Sequence, residues 1–145
     1  ISIIKKNNCI PIDFDEGLRI ADFISVHIPL NEKTINLISK EQLIIMKKNC
    51  ILVNTARGGI INEQDLIWAI ENKEVYGAGI DVYEQEPPSI DNHLFTLDNI
   101  TFTPHNAGLT LECRKRMAIE SCENILYYLS NRSKLNITNI INRKK

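Results

Sequence analysis

Apolar residues in this chain fall into short unbroken runs separated by stretches with helical spacing. The runs are "ISII" from Ile1, "FISVHIP" from Phe23, "CILVNT" from Cys50, "GAGIDVY" from Gly77 and "NITFTP" from Asn99. Each is short enough to be a buried strand. Proline supplies no amide hydrogen to a ladder, so Pro29 and Pro104 are predicted to end the second and fifth runs. Between the runs, "DEGLRIADF" has the apolar spacing of a short helix. "SKEQLIIMKK" adds a start signal, with Ser39 at the N-cap and Gln42 placed to complete a capping box. "NEQDLIWAIENK" reads as an amphipathic helix capped by Asn62, with Leu66, Ile67, Ala69 and Ile70 on one side. A long helix is predicted from Thr110, its cap, through "LECRKRMAIESCENILYYLSN".

Strand alternating with helix is the pattern of an α/β fold, a parallel sheet with helices on both faces. Ligands bind such sheets at the carboxyl ends of the strands. The residues to weigh are therefore His27 and Pro29, Asn54 to Gly58, Asp81 to Glu86, and Thr103 to Gly108.

Composition narrows the classes. The 145 residues are enough for one compact domain, and the 43% hydrophobic share and net charge of -1 are those of a globular chain. That balance argues against a nucleic-acid or anionic-membrane surface, which needs a basic excess. Four cysteines without CxxC spacing fit a reduced, cytoplasmic setting. No run approaches a membrane span, and the N-terminus lacks a signal-peptide layout. His27, His93 and His105 have no metal-ligand spacing, and no GxSxG elbow is present.

The candidate chemistry lies at three strand ends. Arg57 follows "ILVNTA", Glu86 lies in "DVYEQEPP", and His105 in "TFTPHNAG". A guanidinium can hold a carboxylate with two hydrogen bonds. An imidazole exchanges a proton near neutral pH, and a neighbouring carboxylate would orient it and favour its protonated form. Each residue alone reads more simply as structural. In order at successive strand ends, they suit reversible reduction of a carbonyl beside a carboxylate.

The blocks "ILVNTARGGIINEQDLIWAI", "GAGIDVYEQEP" and "TFTPHNAGLT" resemble the second half of the cofactor domain of the D-isomer-specific 2-hydroxyacid dehydrogenases, phosphoglycerate dehydrogenase-like members above all. The resemblance implies a Rossmann-like sheet, NAD as cofactor, a small 2-hydroxy or 2-oxo acid as substrate, and a homodimer for the full-length enzyme. It puts the substrate-binding arginine at Arg57, the histidine-orienting glutamate at Glu86 and the acid/base histidine at His105. It implies cofactor contacts at Asp81 and Gly108 by the nicotinamide, Thr55 and Ala56 beside that ring, His27 to Pro29 by the adenine, and Thr34 near the phosphates. His27 and Thr34 read equally well as a packed strand-end histidine and a residue leading into a helix.

The chain departs from the family in lacking a GxGxxG turn. "GAGIDV" begins like one at Gly77, but Val82 stands at the third glycine, and the segment reads as strand where a helix is required. The chain starts at Ile1 on a strand already under way, so the glycine-rich strand, turn and helix are expected before it. Residues 1–130 then correspond to the C-terminal part of the NAD-binding domain, and 131–145 to a tail returning to the substrate domain. A chain with only these parts is expected to be inactive alone. The alternative is a non-enzymatic dinucleotide-sensing or protein-binding module on the same fold, against which the joint presence of Arg57, Glu86 and His105 counts.

Overall fold

The computed structural model describes Asn7 and residues 9–130. The expected first strand at Ile1 to Ile4 and the tail at 131–145 lie outside the described residues. The chain divides into two units, Ile1–Ala107 and Gly108–Lys145.

In the first unit, α1 (Phe14–Ile20) leads into β1 (Phe23–Val26), followed by α2 (Lys40–Ile45), β2 (Ile51–Asn54), α3 (Glu63–Glu71), β3 (Gly77–Ile80), a 3₁₀ turn (His93–Thr96) and β4 (Ile100–Phe102). The four strands are parallel and stand side by side in chain order. Parallel crossovers are right-handed, so a sheet that grows in one direction carries α2 and α3 on one face. All four carboxyl ends meet at one edge.

The helix starts follow their chemistry. Asp13 caps α1, its carboxylate accepting from the amides of Asp15 and Glu16 at 3.0 and 3.4 Å. At α2, Gln42 Oε1 accepts from the Ser39 amide (3.2 Å) and hydroxyl (2.6 Å), the reach-back of a capping box. Asn62 Oδ1 accepts from the Asp65 amide at 2.9 Å to cap α3. The Asp65 carboxylate in turn accepts from the Lys40 amide, also at 2.9 Å, and Lys40 Nζ lies 3.8 Å from the Trp68 ring centroid. These contacts lock α2 to α3.

Register explains the core. Ile24, Leu52, Ala78 and Ile100 form one row across the sheet, and Val26, Asn54, Ile80 and Phe102 the next row on that face. Val26, Leu52, Ala78, Ile80 and Ile100 from these rows join Leu43 and the four predicted α3 residues, Leu66, Ile67, Ala69 and Ile70, in one apolar cluster, with Ile24 and Phe102 packed against it. The opposite row, Ser25, Val53, Gly79 and Thr101, is half-buried or exposed.

Two expectations need correction. The run from Phe23 is not a fully buried strand: Phe23 is 73% exposed, and within β1 only Val26 is buried. Among the described residues β1 pairs with β2 alone, so it is an edge, and it ends at Val26, ahead of Pro29. Thr34 does not lead into a helix; residues 32–36 form a turn that Thr34 closes, its hydroxyl donating to the Pro29 carbonyl at 2.7 Å.

In the second unit, α4 (Leu111–Leu129) starts where predicted, with Thr110 Oγ1 accepting from the Cys113 amide at 3.1 Å.

Leu66 is fully enclosed, so a Leu66→Ala chain loses both transfer energy and packing. Denaturant unfolding is expected to show a loss of about 2–5 kcal/mol.

Candidate active site

The carboxyl edge of the sheet is built by three loops. After β2, the buried Asn54 side chain turns the chain: its Oδ1 accepts from the Ala56 amide (3.1 Å) and its Nδ2 donates to the Arg57 carbonyl (2.9 Å). Arg57 is thereby held by its backbone while its side chain is exposed. Among the described residues its guanidinium meets no carboxylate at ion-pair distance, and Nη1 donates to the adjacent Ala56 carbonyl at 2.6 Å. The segments 27–30 and 55–57 wall a cleft of about 630 Å³. His27, Pro29, Thr55, Ala56 and Arg57 therefore come together in one place. Thr34 does not line it, and its hydroxyl is engaged within its own loop. His27 Nε2 sits 2.7 Å from the Ser25 hydroxyl.

After β3 the chain passes over the start of α3. The Glu84 carboxylate accepts from the Glu63 amide at 2.9 Å, and the Glu63 carboxylate accepts from the Glu84 amide in return. Gly58 closes the space between this loop and that of Arg57. A Cβ at Gly58 would stand 1.8 Å from the Tyr83 carbonyl oxygen and 2.7 Å from the Glu84 nitrogen. The glycine is required by the close approach of two backbones.

After β4 comes the pairing of Glu86 with His105. Glu86 Oε2 lies 2.7 Å from His105 Nδ1, with both side chains partly open to solvent. Glu86 Oε1 accepts from the Tyr83 amide at 3.1 Å. The hydrogen bond to His105 above all, then the Tyr83 amide, holds the Glu86 carboxyl below its ordinary value; burial opposes them, and the charges of His105 and Arg57 make smaller contributions to the lowering. Arg57 thus acts electrostatically on Glu86. A hollow of about 450 Å³ beside the pair is walled by Pro87, Pro88, Pro104, Phe95 and Phe102.

Asp81 occupies the centre of this edge and is 2% exposed. Its Oδ1 accepts from the Thr103 hydroxyl and from the Asn106 amide (2.9 Å), and Oδ2 accepts from the Ala107 amide (3.0 Å). Burial works against the charge, but these donors and the nearby His105 outweigh it and leave the carboxyl below its ordinary value. His105 has φ of +51°, a left-handed backbone uncommon for a non-glycine residue, and Asp81 grips the two residues that follow it. Gly108 opens the second unit. Asn54, Tyr83 and Thr103 hold the site; the sequence placed them among the strand-end residues to weigh but gave them no role of their own. Their one signal was position, at or just past the ends of apolar runs.

Residues 2–107 match the family model described as "D-isomer specific 2-hydroxyacid dehydrogenase, NAD binding domain". The chain is 40% identical over 127 residues to a glyoxylate/hydroxypyruvate reductase B of Enterobacter agglomerans, covering 88% of this chain and 39% of that protein. It is 42% identical over 130 residues to a D-3-phosphoglycerate dehydrogenase of Methanocaldococcus jannaschii, covering 90% of this chain and 25% of the relative. The NAD-complexed crystal structure of a D-isomer specific 2-hydroxyacid dehydrogenase from Lactobacillus delbrueckii ssp. bulgaricus superposes with a TM-score of 0.80 at 30% identity, over 86% of this chain and 42% of that one. The chain spans well under half the length of these relatives.

Gly58→Ala should lower the thermal midpoint far more than Gly79→Ala, whose added Cβ would make ordinary contacts with Val53. Calorimetry of the two variants checks this. Asp81 and Glu86 hold their charge to lower pH folded than unfolded, so the unfolded chain binds more protons just below the ordinary carboxylate values of about 4. The stability they supply is complete above that range and drains as the pH falls through their folded values. Asp81→Asn should therefore melt well below the parent chain at pH ~6. The gap should narrow steadily as the pH is lowered to ~3.

Proposed function

Because the chain belongs to the D-isomer-specific 2-hydroxyacid dehydrogenase family, through the NAD-binding domain of that family, we propose that it carries the substrate- and proton-handling part of an NAD-dependent oxidoreductase that interconverts 2-oxo acids and D-2-hydroxy acids. One observation carries the reading: a carboxylate-bound histidine, Glu86–His105, on the same strand-end edge as an arginine that meets no carboxylate among the described residues.

Arg57 binds the substrate carboxylate through its planar fork. His105 Nδ1 faces Glu86, which leaves Nε2 to meet the substrate oxygen. Glu86 fixes the orientation of the imidazole, so His105 can give a proton from Nε2 as a 2-oxo acid is reduced and take it back in the reverse direction. The cleft between 27–30 and 55–57 suits the nucleotide in shape and chemistry. Ile28, Pro29, Leu30 and Ala56 offer apolar walls for a ring, and the Thr55 hydroxyl has no partner among the described residues. His27, Pro29, Thr55 and Ala56 would hold the cofactor there, with Asp81 toward the nicotinamide; for Thr34 as a phosphate contact and Gly108 as a nicotinamide contact the family resemblance is the support. The chemistry that NAD would supply when bound is the hydride exchanged with the substrate carbon. Asp81 reaches this role with its oxygens already engaged by Thr103, Asn106 and Ala107.

Residues 1–130 are read as part of the NAD-binding domain, and 131–145 as the segment leading back to a substrate domain. The substrate is a small acid of the kind named for the relatives, and the family resemblance supports a homodimer. Balanced charge supports the absence of nucleic-acid and membrane partners, and no helix among the described residues is long and apolar enough to cross a membrane. Unpaired cysteines at Cys9, Cys50, Cys113 and Cys122 support a reducing cytoplasm.

With the chain joined to a glycine-rich nucleotide-binding segment of the family, NADH oxidation by 2-oxo acids tests the assignment. His105→Ala should lower kcat by on the order of 10²–10⁴-fold. Arg57→Ala should mainly raise KM for the 2-oxo acid. Unchanged kinetics in both variants would sink the reading.

A further inference from the structure

We propose that Tyr83 is a positioning residue that sets the contact between Glu86 and His105 by tying together the two loops that carry them. The proposal rests on the reading of that pair as the acid/base machinery. Tyr83 works from both ends. Its backbone amide donates to Glu86 Oε1 at 3.1 Å, which fixes the carboxylate whose other oxygen meets His105. Its phenol hydroxyl donates to the Thr103 carbonyl at 3.1 Å, two residues before His105.

The segment that receives this bond needs it. Pro104 has no amide hydrogen, so nothing on its backbone nitrogen can anchor the approach to His105. His105 itself has the left-handed φ of +51°, a conformation that persists only where its surroundings dictate it. On the far side, Asp81 grips the amides of Asn106 and Ala107. On the near side, the Thr103 amide donates to the Ile80 carbonyl at 3.0 Å, and the Thr103 carbonyl is held by Tyr83. Without the phenol, the Thr103 carbonyl is free to swing, and the imidazole with it.

The ring is placed to act as a strut. Tyr83 is 7% exposed and packs edge-on to Phe95, with centroids 5.9 Å apart; Phe95 does the same to Phe102 at 5.0 Å. For apolar packing alone a phenylalanine would serve, because a buried hydroxyl has to find an acceptor. Burial first, and then the charges of Asp81, Glu63 and Glu86, push the phenol above its ordinary value, so it remains a donor throughout the neutral range.

The test removes one oxygen, Tyr83→Phe, in the full 145-residue chain. The Glu86 side-chain carboxyl is followed by carbon-13 NMR as the pH is lowered, and the hydrogen-bonded imidazole proton of His105 by its downfield proton resonance. His105→Ala gives the reference for complete loss of the pair. In Tyr83→Phe the Glu86 titration is expected to move up, part of the way to the His105→Ala value, and the imidazole proton to broaden by exchange with water. A Tyr83→Phe chain with the parent's titration and imidazole signal would overturn the proposal and leave Tyr83 as a core residue. A Tyr83→Phe chain that does not fold would overturn it equally, because the hydroxyl would then serve the fold itself. Neither signal depends on turnover. An acid/base reading that failed in the kinetics of His105→Ala would therefore be seen apart from a failure of Tyr83.

Discussion

A carboxylate buried to 2% exposure keeps its charge only if donors replace the water it has lost, and Asp81 imposes that demand on the carboxyl edge of this sheet. The demand is met by one stretch of chain. Thr103 bonds before the histidine, and Asn106 and Ala107 after it, so the loop that satisfies the charge must curl around Asp81 with His105 at its outer bend. The cost of an unpaired charge, several kcal/mol, exceeds the roughly 1–3 kcal/mol of a left-handed backbone. The strained φ at His105 persists because relaxing it would break the bonds to Asp81.

Around that centre, each loop is fastened to its neighbour through short polar contacts as well as through the apolar packing of Tyr83. The Arg57 loop is turned by Asn54 and pressed against the 83–84 backbone at Gly58, while the 84 loop is bonded to the first turn of α3 through Glu63. Side chains contributed by distant segments consequently share one electrostatic environment, in which Arg57 and His105 both help to keep Glu86 charged. The core beneath supplies the rigidity. Leu43, Leu52 and Leu66 are fully enclosed, and the capped helices α2 and α3 pack as a pair over the sheet.

Much of this was legible in the chain, and the reasons are local. Buried parallel strands write themselves as apolar runs, and helices as caps followed by an apolar stripe. Ser39 with Gln42, Asn62 and Thr110 accordingly marked real helix starts. Leu66, Ile67, Ala69 and Ile70 are buried as their spacing required. Arg57, Glu86 and His105 were visible as candidates because residues that follow such runs must emerge at one edge. The run from Phe23 misled, because composition records that residues can be buried and not how many neighbours a strand has. As the edge of the described sheet, β1 leaves Phe23 exposed.

The sequence by itself determined the order of the elements, their parallel arrangement and the chemical types gathered at the strand ends, since those follow from periodicity, capping and the fixed handedness of crossovers. Only the tertiary structure decided which atoms meet. Nothing in the spacing of Glu86 and His105 specifies Oε2 on Nδ1 at 2.7 Å, and nothing in "GID" or "TFTPHNA" announces that Asp81 takes its donors from Thr103, Asn106 and Ala107. Those partners are separated by nineteen residues or more along the chain. Hydrogen bonds form between neighbours in space, and such neighbours exist only after the sheet has brought the strand ends together.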